Sequence, residues 1–430
     1  MKNQNFNYPI ILWAKELSKI YRSITGDGVI KTLNFLKTKL PELKEIKFKS
    51  GTKVFDWIIP DEWNVNDAYI SNLKGKKIIS FKENFLHLVS YSVPISKIVS
   101  KKELFQHLYT DKINKTAIPY VTSFYNKTWG FCIQYNKFKL LKDRQFAVHI
   151  ESNFNSKGYL RCGELLKKGT SKKEIFFSTY ICHPVMANNE SSGPSLAIAI
   201  SKYIDNKYKK TKFSYRFLFA PETIGSIAYL SKFHKRMKKN VVSGYVLSCV
   251  GDDKKYSVVN SPSENKISDL SLKAALINKK NVKYFSYLER GSDERQYCSP
   301  NIDLPVSTFC RSKFGEYKEY HTSNDDFKLV TKKGLNNSLE IITTIIDAFE
   351  IGLYPKSKIF CEPMLSKRNL YPTIGKNNKN SFGRKYLDVL SFSNGVNNIF
   401  QIAILTNLNL KIVINTLETL KKNNLIEFKK

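Results

Sequence analysis

The sequence predicts an α/β protein with a mostly parallel, doubly wound sheet, a small β domain inserted into it, and a separate helical unit at the end. Three observations support this prediction. From residue 174 to residue 352, apolar runs typical of buried strands alternate with amphipathic runs typical of helices. Short alternating aromatic runs fill residues 51–149. Residues 360–430 read as three short helices and a strand.

The strands and helices of the main domain follow one another in a regular order. The predicted strands are EIFFSTYI from Glu174, SYRFLFA from Ser214, VVSGYVLSCV from Val241 and DLPVSTFC from Asp303. The predicted helices begin near Pro194, Ser226, Asp269 and Lys333. Alternation of this kind implies a parallel sheet, in which functional groups collect at the carboxyl ends of the strands.

The other regions define the domain organisation. Residues 1–45 are helical in pattern and would be isolated alone, so we assign 1–45 together with 155–355 to the α/β domain. Residues 46–154 form the inserted β-rich domain, because runs such as KVFDWII and RQFAVHI are separated by polar turns. Residues 360–430 carry the order of helices and strand expected of a winged-helix unit.

The strongest compositional feature is a formal net charge of +33. Lysine and arginine side chains that neutralise phosphates bind nucleic acid. Here, however, the lysines are spread along the whole chain and form neither a tract nor an aromatic-interleaved patch. We interpret the charge as a general lysine bias and do not expect nucleic acid as a partner, although some affinity for anions at low salt follows from the charge.

Cysteine usage and hydropathy indicate the compartment. The 7 cysteines are scattered and contain no CxxC, which argues against a disulfide framework and against a thiolate zinc site. The first residues lack a long apolar core and a cleavage site, so they do not resemble a signal peptide. No run reaches the roughly 18 apolar residues that a membrane span needs. We therefore expect a cytoplasmic protein without a membrane partner.

Four segments, in this order, resemble the motifs of the zinc aminopeptidase (zinc exopeptidase) superfamily. They are HPVMANNESSG (183–193), similar to a histidine followed by the ANDNASG loop, PETIGS (221–226), similar to EExGLxGS, GSDERQYCSPNIDLP (291–305), similar to SDHxxFxxxGIP, and EYHTSNDD (319–326), similar to the closing YHT..D. The resemblance implies a zinc-exopeptidase-like sheet for the main domain.

More narrowly, the chain resembles a family of bacterial aminopeptidase-like proteins with a protease-associated-like β insert and a winged-helix tail. RSITGDGV (22–29), TWGFC (128–132) and EPMLSKRNLYPTIG (362–375) carry this resemblance together with the four motifs, and it covers nearly the full length. The resemblance also implies a place among genes for surface glycan or secondary-metabolite assembly.

Carried over residue by residue, the resemblance makes His183 and His321 metal ligands and Glu222 the general base. The position of the bridging aspartate is Asn189, and Thr223 and Ser248 stand at two further acidic positions. An asparagine oxygen neither neutralises a divalent ion nor bridges two of them well. We therefore expect at most one zinc ion, held by His183, His321 and the Asn189 region.

The third protein ligand of such an ion is open among three carboxylates, those of Glu222, Glu190 and Asp252. Glu222 has two possible roles, because it could take up a proton as general base or replace the missing acidic ligand. It could also simply cap the helix that follows. Asn188 and Asn189 could be turn formers without a role in metal binding.

Three residues of the third motif form a predicted substrate-binding set. Asp293 offers a carboxylate for an amine, Arg295 a guanidinium for a carboxylate or phosphate, and Tyr297 a phenol. Asp293 could instead orient His321. Arg295 could be an ordinary salt-bridge partner of Glu289 or Asp293.

These observations lead to one functional prediction and two alternatives. We predict an aminopeptidase-like, zinc-dependent hydrolase acting on an amide bond of a small amine-bearing metabolite, peptide or glycan precursor. The first alternative is a catalytically degenerate ligand-binding protein with the same fold. The second is a DNA-associated regulator acting through the winged-helix tail. We prefer a protein-contact role for the tail, including homo-oligomer formation.

Overall fold

The fold is taken from a computed structural model, which describes residues 7–370 and 383–429. Residues 371–375 of the segment 362–375 lie outside the described residues. The strands are β1 Lys44–Lys49, β2 Lys53–Val54, β3 Trp57–Ile58, β4 Glu62–Ser71, β5 Lys77–Ser80, β6 Ile95–Ser100, β7 Leu108–Tyr109, β8 Phe131–Cys132, β9 Gln145–Asn155, β10 Tyr159–Lys167, β11 Glu174–Tyr180, β12 Ser214–Ala220, β13 Val241–Leu247, β14 Tyr256–Val259, β15 Val282–Phe285, β16 Val306–Cys310, β17 Pro355–Ser357 and β18 Ile426–Phe428.

The helices pack around these strands. They are α1 Ile10–Ser18, α2 Asp27–Lys39, α3 Lys101–Gln106, α4 Tyr135–Phe138, α5 Ser192–Lys207, α6 Ile224–Asn240, α7 Ile267–Ala275, α8 Glu294–Tyr297, α9 Lys332–Ile351, α10 Arg384–Ser391, α11 Ile399–Thr406 and α12 Leu410–Lys422. A single π turn, Ala187–Ser191, leads into α5.

The central sheet has 8 strands in the order β1-β10-β12-β11-β13-β16-β14-β15. Its four middle strands, β12, β11, β13 and β16, are parallel, as predicted. The sheet is nevertheless mixed, because β1 and β10 pair antiparallel at one side and β14 pairs antiparallel with β16 at the other. The sequence pattern predicted neither β10 nor β14 and β15, of which the last two have four residues each and no clear periodicity.

The sheet separates two apolar layers. Every residue of β11 is buried, and successive side chains point to opposite faces. Phe177 packs on the side of α1, α5, α7 and α9. Phe176 packs on the side of α6 and the insert. This two-sided burial explains why the middle strands are mainly apolar and do not alternate between apolar and polar residues.

The insert is built on a second sheet of 4 strands in the order β5-β4-β9-β6. The chain leaves the central sheet after β1 and returns to it at β10, which pairs with β1. The predicted boundaries after residues 45 and 154 fall inside β1 and β9. The assignment of the domains stays a prediction at that level of detail.

The C-terminal unit contains α10, α11 and α12, and β18 pairs antiparallel with β17. It packs on the main domain through α9 and α7, and the rings of Phe349 and Phe400 lie 5.2 Å apart. Within the described part of the chain, no single helix has the length and apolar composition to cross a membrane. The pair α11 and α12 meets that criterion only jointly, with a bend of 114° between them.

Candidate functional site

His183 follows β11, at the carboxyl end of the parallel strands. Its side chain is buried, and its Nδ1 lies 3.0 Å from Oε2 of Glu190. The next helix approaches the sheet closely at Gly193, where a Cβ atom would lie 2.3 Å from the hydroxyl of Thr179. The short loop and this close approach bring Glu190 back beneath His183. Because Glu190 engages Nδ1, Nε2 is the nitrogen left to bind a ligand.

A buried arginine supports this pair from the other side. The Nε of Arg22 lies 3.7 Å from Oε1 of Glu190 and donates to the carbonyl of His183 at 3.2 Å. Burial raises the pKa of Glu190 to about 8, while the charge of Arg22 opposes this rise. Burial, together with Arg22, lowers the pKa of His183 to about 3. His183 is therefore a neutral imidazole, the form that binds metals.

His321 lies beside His183. The two ring centroids are 5.3 Å apart, and the ring of Tyr320 stacks on His321 at 3.9 Å. Nε2 of His321 is buried and has no hydrogen-bond partner. Burial lowers the pKa of His321 to about 3, with a further contribution from His183. The structure thus brings together the two histidines that the motifs singled out, both in the neutral form.

Glu222 follows β12 and faces the same site. Its Oε2 lies 3.6 Å from Nε2 of His183, and its side chain is 20% exposed. Burial raises the pKa of Glu222 well above its usual value, and the neighbouring carboxyl of Asp293 adds to this rise. Glu222 therefore does not act as a cap of α6, since its carboxylate lies at the nitrogen of His183 that remains available.

Asp293 and Arg295 flank Glu222 through Thr223. The carboxylate of Asp293 accepts hydrogen bonds from the backbone N–H of Thr223 at 2.8 Å and from the hydroxyl of Ser226 at 3.0 Å. Arg295 donates to the hydroxyl of Thr223 at 2.6 Å. One oxygen of Asp293 and the Nε of Arg295 are buried without a partner. Burial raises the pKa of Asp293 to about 6.

Tyr297 occupies a different position from its two neighbours in the motif. It is fully buried, and its hydroxyl shares a hydrogen bond of 2.7 Å with Ser178 in the middle of β11. Its ring contacts Phe176 at 5.0 Å. Tyr297 was expected to face the substrate, but in the structure its phenol packs against the sheet and is hydrogen-bonded there.

Asn189 makes contacts that hold it in the loop. Its side-chain oxygen accepts hydrogen bonds from the hydroxyl of Tyr180 at 3.3 Å and from the thiol of Cys249 at 3.6 Å. Its backbone N–H donates to Asp325 at 2.9 Å. An amide oxygen already used in this way is a poor ligand for a divalent ion. The expectation that Asn189 contributes to metal binding thus gains no support from its surroundings.

Asn188 and Asp252 support the same loop. The amide of Asn188 donates to Asp252 at 3.1 Å and accepts from the backbone N–H of Gly251 at 2.8 Å. Asp252 also accepts the backbone N–H and the hydroxyl of Ser312. These bonds engage Asp252 in the structure, which removes it from the carboxylates available for an ion.

Several loops around the site have strained backbone. Four non-glycine residues in these loops adopt positive φ, namely Val185 at 59°, Thr223 at 64°, Cys249 at 52° and His321 at 53°. Such conformations cost of order 1–3 kcal/mol each and persist where the surrounding structure fixes them, commonly at functional sites. These residues lie in the loops after β11, β12 and β13 and in the loop of His321, which surround the two histidines.

Two groupings of side chains could hold a cation. Within residues 7–370 and 383–429, the one group of three histidine, cysteine or acidic ligand atoms lying within 4.8 Å of one another is Cys182, His183 and Glu190. It uses Nδ1 of His183 on the buried side that Arg22 already occupies. We favour the opposite side, where Nε2 of His183 lies 3.6 Å from Oε2 of Glu222 and the ring of His321, with its unpartnered Nε2, lies 5.3 Å from that of His183. The ligand atoms of these three residues do not all lie within 4.8 Å of one another.

The spacing of the two imidazoles fits a shared ion. Zinc binds imidazole nitrogen at about 2.0–2.1 Å, so two rings that share one tetrahedral zinc have centroids about 5 Å apart. The observed separation of His183 and His321 is 5.3 Å. Two imidazoles and one carboxylate are also a common set of protein ligands in catalytic zinc sites. The types of residue present therefore suit one zinc ion, although binding it would need the ligand atoms of His183, His321 and Glu222 to move closer together than they lie here.

A cavity of about 450 Å³ lies elsewhere, between the N-terminal segment and the insert. Its walls include Tyr21, Thr25, Trp63 and Phe85. None of the histidines or acidic residues of the site described above lines it. We therefore place the functional site at the histidines and acidic residues described above and not at this cavity, because a reaction needs such groups and a large cavity without them cannot carry it out.

Sequence reasoning missed two residues of the site. Arg22 stands at the start of the RSITGDGV motif, but nothing in that segment alone indicates a partner far along the chain. Tyr120, from the insert, packs its ring on His183 at 5.2 Å and on His321 at 5.3 Å. Tyr120 belongs to a domain that the sequence marked only as β-rich, so no local signal connected it with the histidines.

Comparison with known proteins agrees with this architecture. Residues 12–352 match the family described as a domain of unknown function (DUF4910), and residues 353–428 match a winged helix-turn-helix. The chain is 42% identical over 401 residues to a protein of Clostridium acetobutylicum, over 90% of this chain and 89% of that protein. The name of that protein assigns it provisionally to polysaccharide biosynthesis and gives it an aminopeptidase-like domain.

Solved structures share the fold. A crystal structure from Clostridium acetobutylicum, provisionally described as a peptidase, matches with a TM-score of 0.89 and 38% identity, over 98% of this chain and 96% of that chain. A zinc aminopeptidase from Bacillus subtilis matches with a TM-score of 0.57 and 13% identity, over 78% of this chain and 93% of that chain. At 13% identity the second likeness shows the fold alone. The predicted aminopeptidase-like α/β fold with a C-terminal winged helix is confirmed, with a sheet that is mixed at its edges.

Proposed function

Because the chain belongs to the DUF4910 family, with a winged helix-turn-helix after that domain, we propose that it is an aminopeptidase-like, metal-dependent hydrolase. Its substrate would be an amide of a small amine-bearing metabolite, peptide or glycan precursor. The polysaccharide-biosynthesis name of the Clostridium acetobutylicum relative supports the glycan precursor among these. The observation that carries the proposal is the approach of His321 to His183, with Glu222 3.6 Å from Nε2 of His183.

The residues divide the chemistry among themselves. His183 and His321 would hold one zinc ion, which supplies Lewis-acid polarisation of an amide carbonyl when bound. Glu222 takes the proton of the attacking water and returns it to the amide nitrogen as the C–N bond breaks. A carboxyl whose pKa is raised by burial suits this task, because it is a stronger base than an exposed carboxylate.

Arg295 and Asp293 would recognise the substrate. The Nε of Arg295 is buried without a partner, so it is available for an anionic group such as a carboxylate or phosphate. The unpartnered oxygen of Asp293 is available for an amine. A substrate with both groups would satisfy two buried polar atoms that are otherwise costly to leave unpaired.

Zinc analysis tests the proposal. Protein purified without chelator is expected to contain one zinc ion per chain and to lose it in His183→Ala and His321→Ala. His234→Ala is the matched control, because His234 lies on α6 and bonds its own helix at Leu230. Two results would count against a metal-dependent hydrolase. One is that neither wild type nor the control contains stoichiometric zinc, and the other is that both site variants retain it.

Glu222→Gln separates the two roles of Glu222. A general base should leave zinc content unchanged and lower the hydrolysis of aminoacyl p-nitroanilides by about 10²–10⁴-fold. A ligand should cause loss of the ion itself. In either case the activity falls, and unchanged activity would remove Glu222 from the mechanism.

A second candidate function has one specific observation in its favour. Asn189 stands where the superfamily has its bridging aspartate, and its amide is already bonded to Tyr180 and Cys249. A ligand-binding protein that has lost catalysis would retain the same pocket without an ion. This candidate would be favoured if zinc-free wild-type protein binds a free amino acid, which carries both an amine and a carboxylate, and Arg295→Met does not bind it.

A further inference from the structure

One segment of the insert lies against the loop that carries His321. Pro119 forms an antiparallel bridge with Thr322, and the backbone N–H of Tyr120 donates to the carbonyl of His321 at 2.8 Å. Ile118 and Ser323 exchange two more hydrogen bonds, at 2.9 and 3.0 Å. The insert therefore fixes the strained backbone of His321 through a short two-stranded contact.

The side chain of Tyr120 completes this contact. Its ring centroid lies 5.2 Å from that of His183 and 5.3 Å from that of His321, and the two histidine rings are themselves 5.3 Å apart. The three rings thus form a nearly equilateral triangle. Any group that binds beside the two imidazoles must share its space with the Tyr120 ring or displace it, because packed interiors leave few voids.

We propose that Tyr120 is a specificity-determining residue, contributed by the insert, which restricts the substrate group beside the two histidines to a small one. The substrate class named in this proposal rests on the proposed function, an amide hydrolase. It narrows that function to amides whose amine-bearing part has a small side chain, such as a glycyl or alanyl group. The contact of the ring with the histidines does not depend on the reaction.

Accessibility of the histidines tests the role of the ring without any substrate. Diethyl pyrocarbonate modifies neutral imidazoles that hold no metal, so every protein is first treated with chelator, and mass spectrometry assigns the modification to each histidine. In Tyr120→Ala, modification of His321 and His183 is expected to be at least tenfold faster than in wild type. Tyr120→Phe keeps the ring and should behave as wild type. An unchanged rate in Tyr120→Ala overturns the proposal.

Tyr125→Ala is the matched control. Tyr125 lies in the same insert, but it is half exposed and its hydroxyl donates to the carbonyl of Ile58 at 3.0 Å. It should leave the modification rates unchanged, and acceleration equal to that of Tyr120→Ala would overturn the proposal. If Tyr120→Ala does not fold, Tyr120→Leu fills part of the volume without a ring and is expected to accelerate modification by a smaller factor.

Specificity is measured with glycyl and leucyl p-nitroanilides. Wild type should prefer the glycyl compound, and Tyr120→Ala should shift the ratio of kcat/KM towards the leucyl compound by about tenfold or more. The shift should lie mainly in KM. An unchanged ratio in an active Tyr120→Ala overturns the proposal. If wild type hydrolyses neither compound, the proposed function fails, while the modification rates still decide whether Tyr120 covers the histidines.

Discussion

Glu190 lies 3.0 Å from Nδ1 of His183 and, on its other side, 3.7 Å from Nε of Arg22. The histidine that follows β11 is thus held from behind by a buried carboxylate, and that carboxylate is itself paired. The arrangement fixes which nitrogen of His183 faces Glu222. It also makes the N-terminal segment part of the site's support, because Arg22 precedes α2.

Removal of Glu190 is expected to destabilise the protein strongly. Glu190→Ala removes the carboxyl that bonds Nδ1 of His183 and faces the buried guanidinium of Arg22, and each buried polar group left unpaired costs about 1–3 kcal/mol of unfolding free energy. Urea unfolding at neutral pH measures this loss. The exposed pair Lys97 and Glu103, 2.6 Å apart, is the control, and Glu103→Ala should cost about 1 kcal/mol or less. Equal losses in the two variants would contradict a structural role for the buried pair.

The metal-free protein is expected to lose stability in acid through its two site histidines. Their pKa is about 3 in the folded protein and 6.5 as the ordinary value, so between these limits the unfolded chain binds protons that the native state does not. The free energy of unfolding therefore falls as the pH falls through this window, by up to about 1.4 kcal/mol per pH unit for each histidine.

His321→Gln isolates this effect. Buried carboxyls with a raised pKa, such as those of Asp293 and Asp325, change stability in the opposite sense, since their contribution falls as the pH rises. The free energy of unfolding of both proteins is therefore measured by urea unfolding between pH 4 and pH 7 with chelator present. The slope of this free energy against pH is then compared between wild type and the variant. The variant should show the shallower loss in acid. Parallel curves would mean that His321 does not titrate differently in the two states.

Asp325 is predicted to hold the loop before α5. Its carboxylate accepts the backbone N–H groups of Asn188 at 2.6 Å and Asn189 at 2.9 Å. In Asp325→Ala these donors lose their partner, at about 1–3 kcal/mol for each buried group. Hydrogen exchange of the two amides should accelerate. Asp326→Ala is the control, because Asp326 bonds only locally, to the backbone N–H of Lys328. Unchanged exchange in Asp325→Ala would sink this assignment.

The winged helix is predicted to unfold together with the main domain. Phe400 of α11 is fully buried and packs on Phe349 of α9, within one continuous apolar core. Phe400→Ala should cost about 3–5 kcal/mol and shift a single unfolding transition. Calorimetry and urea unfolding followed by two probes measure this. Two separate transitions, of which only one shifts in the variant, would show that the units unfold independently.

The middle of the fold could be predicted because its strands are buried on both faces. EIFFSTY and SYRFLFA are mainly apolar, and the structure gives β11 and β12 these residues, each of them buried. By contrast, β14 and β15 are held by pairing with distant strands and not by their own pattern. The mixed character of the sheet depends on such pairings, which are properties of topology.

Prediction of the site was partial for a similar reason. The motifs named His183, Glu222 and His321, each of which follows or precedes a recognisable element. They also named Tyr297, whose phenol is buried against the sheet. A motif gives the position of a residue in the chain but not the direction of its side chain. Arg22 and Tyr120 act through contacts with remote loops, and no spacing along the chain encodes those contacts.

The insert is joined to the central sheet in a way that permits its excision. Lys49, the last residue of β1, pairs with Tyr159, the first residue of β10, and Ser50 bonds the carbonyl of Gly158. The whole insert is thus the elongated tip of a single hairpin. Replacement of it by a tight turn would interrupt no strand of the central sheet. A shortened protein of this kind would retain both histidines but lose the contacts of residues 118–120 with the His321 loop, and it would expose the face of the sheet that carries Phe176.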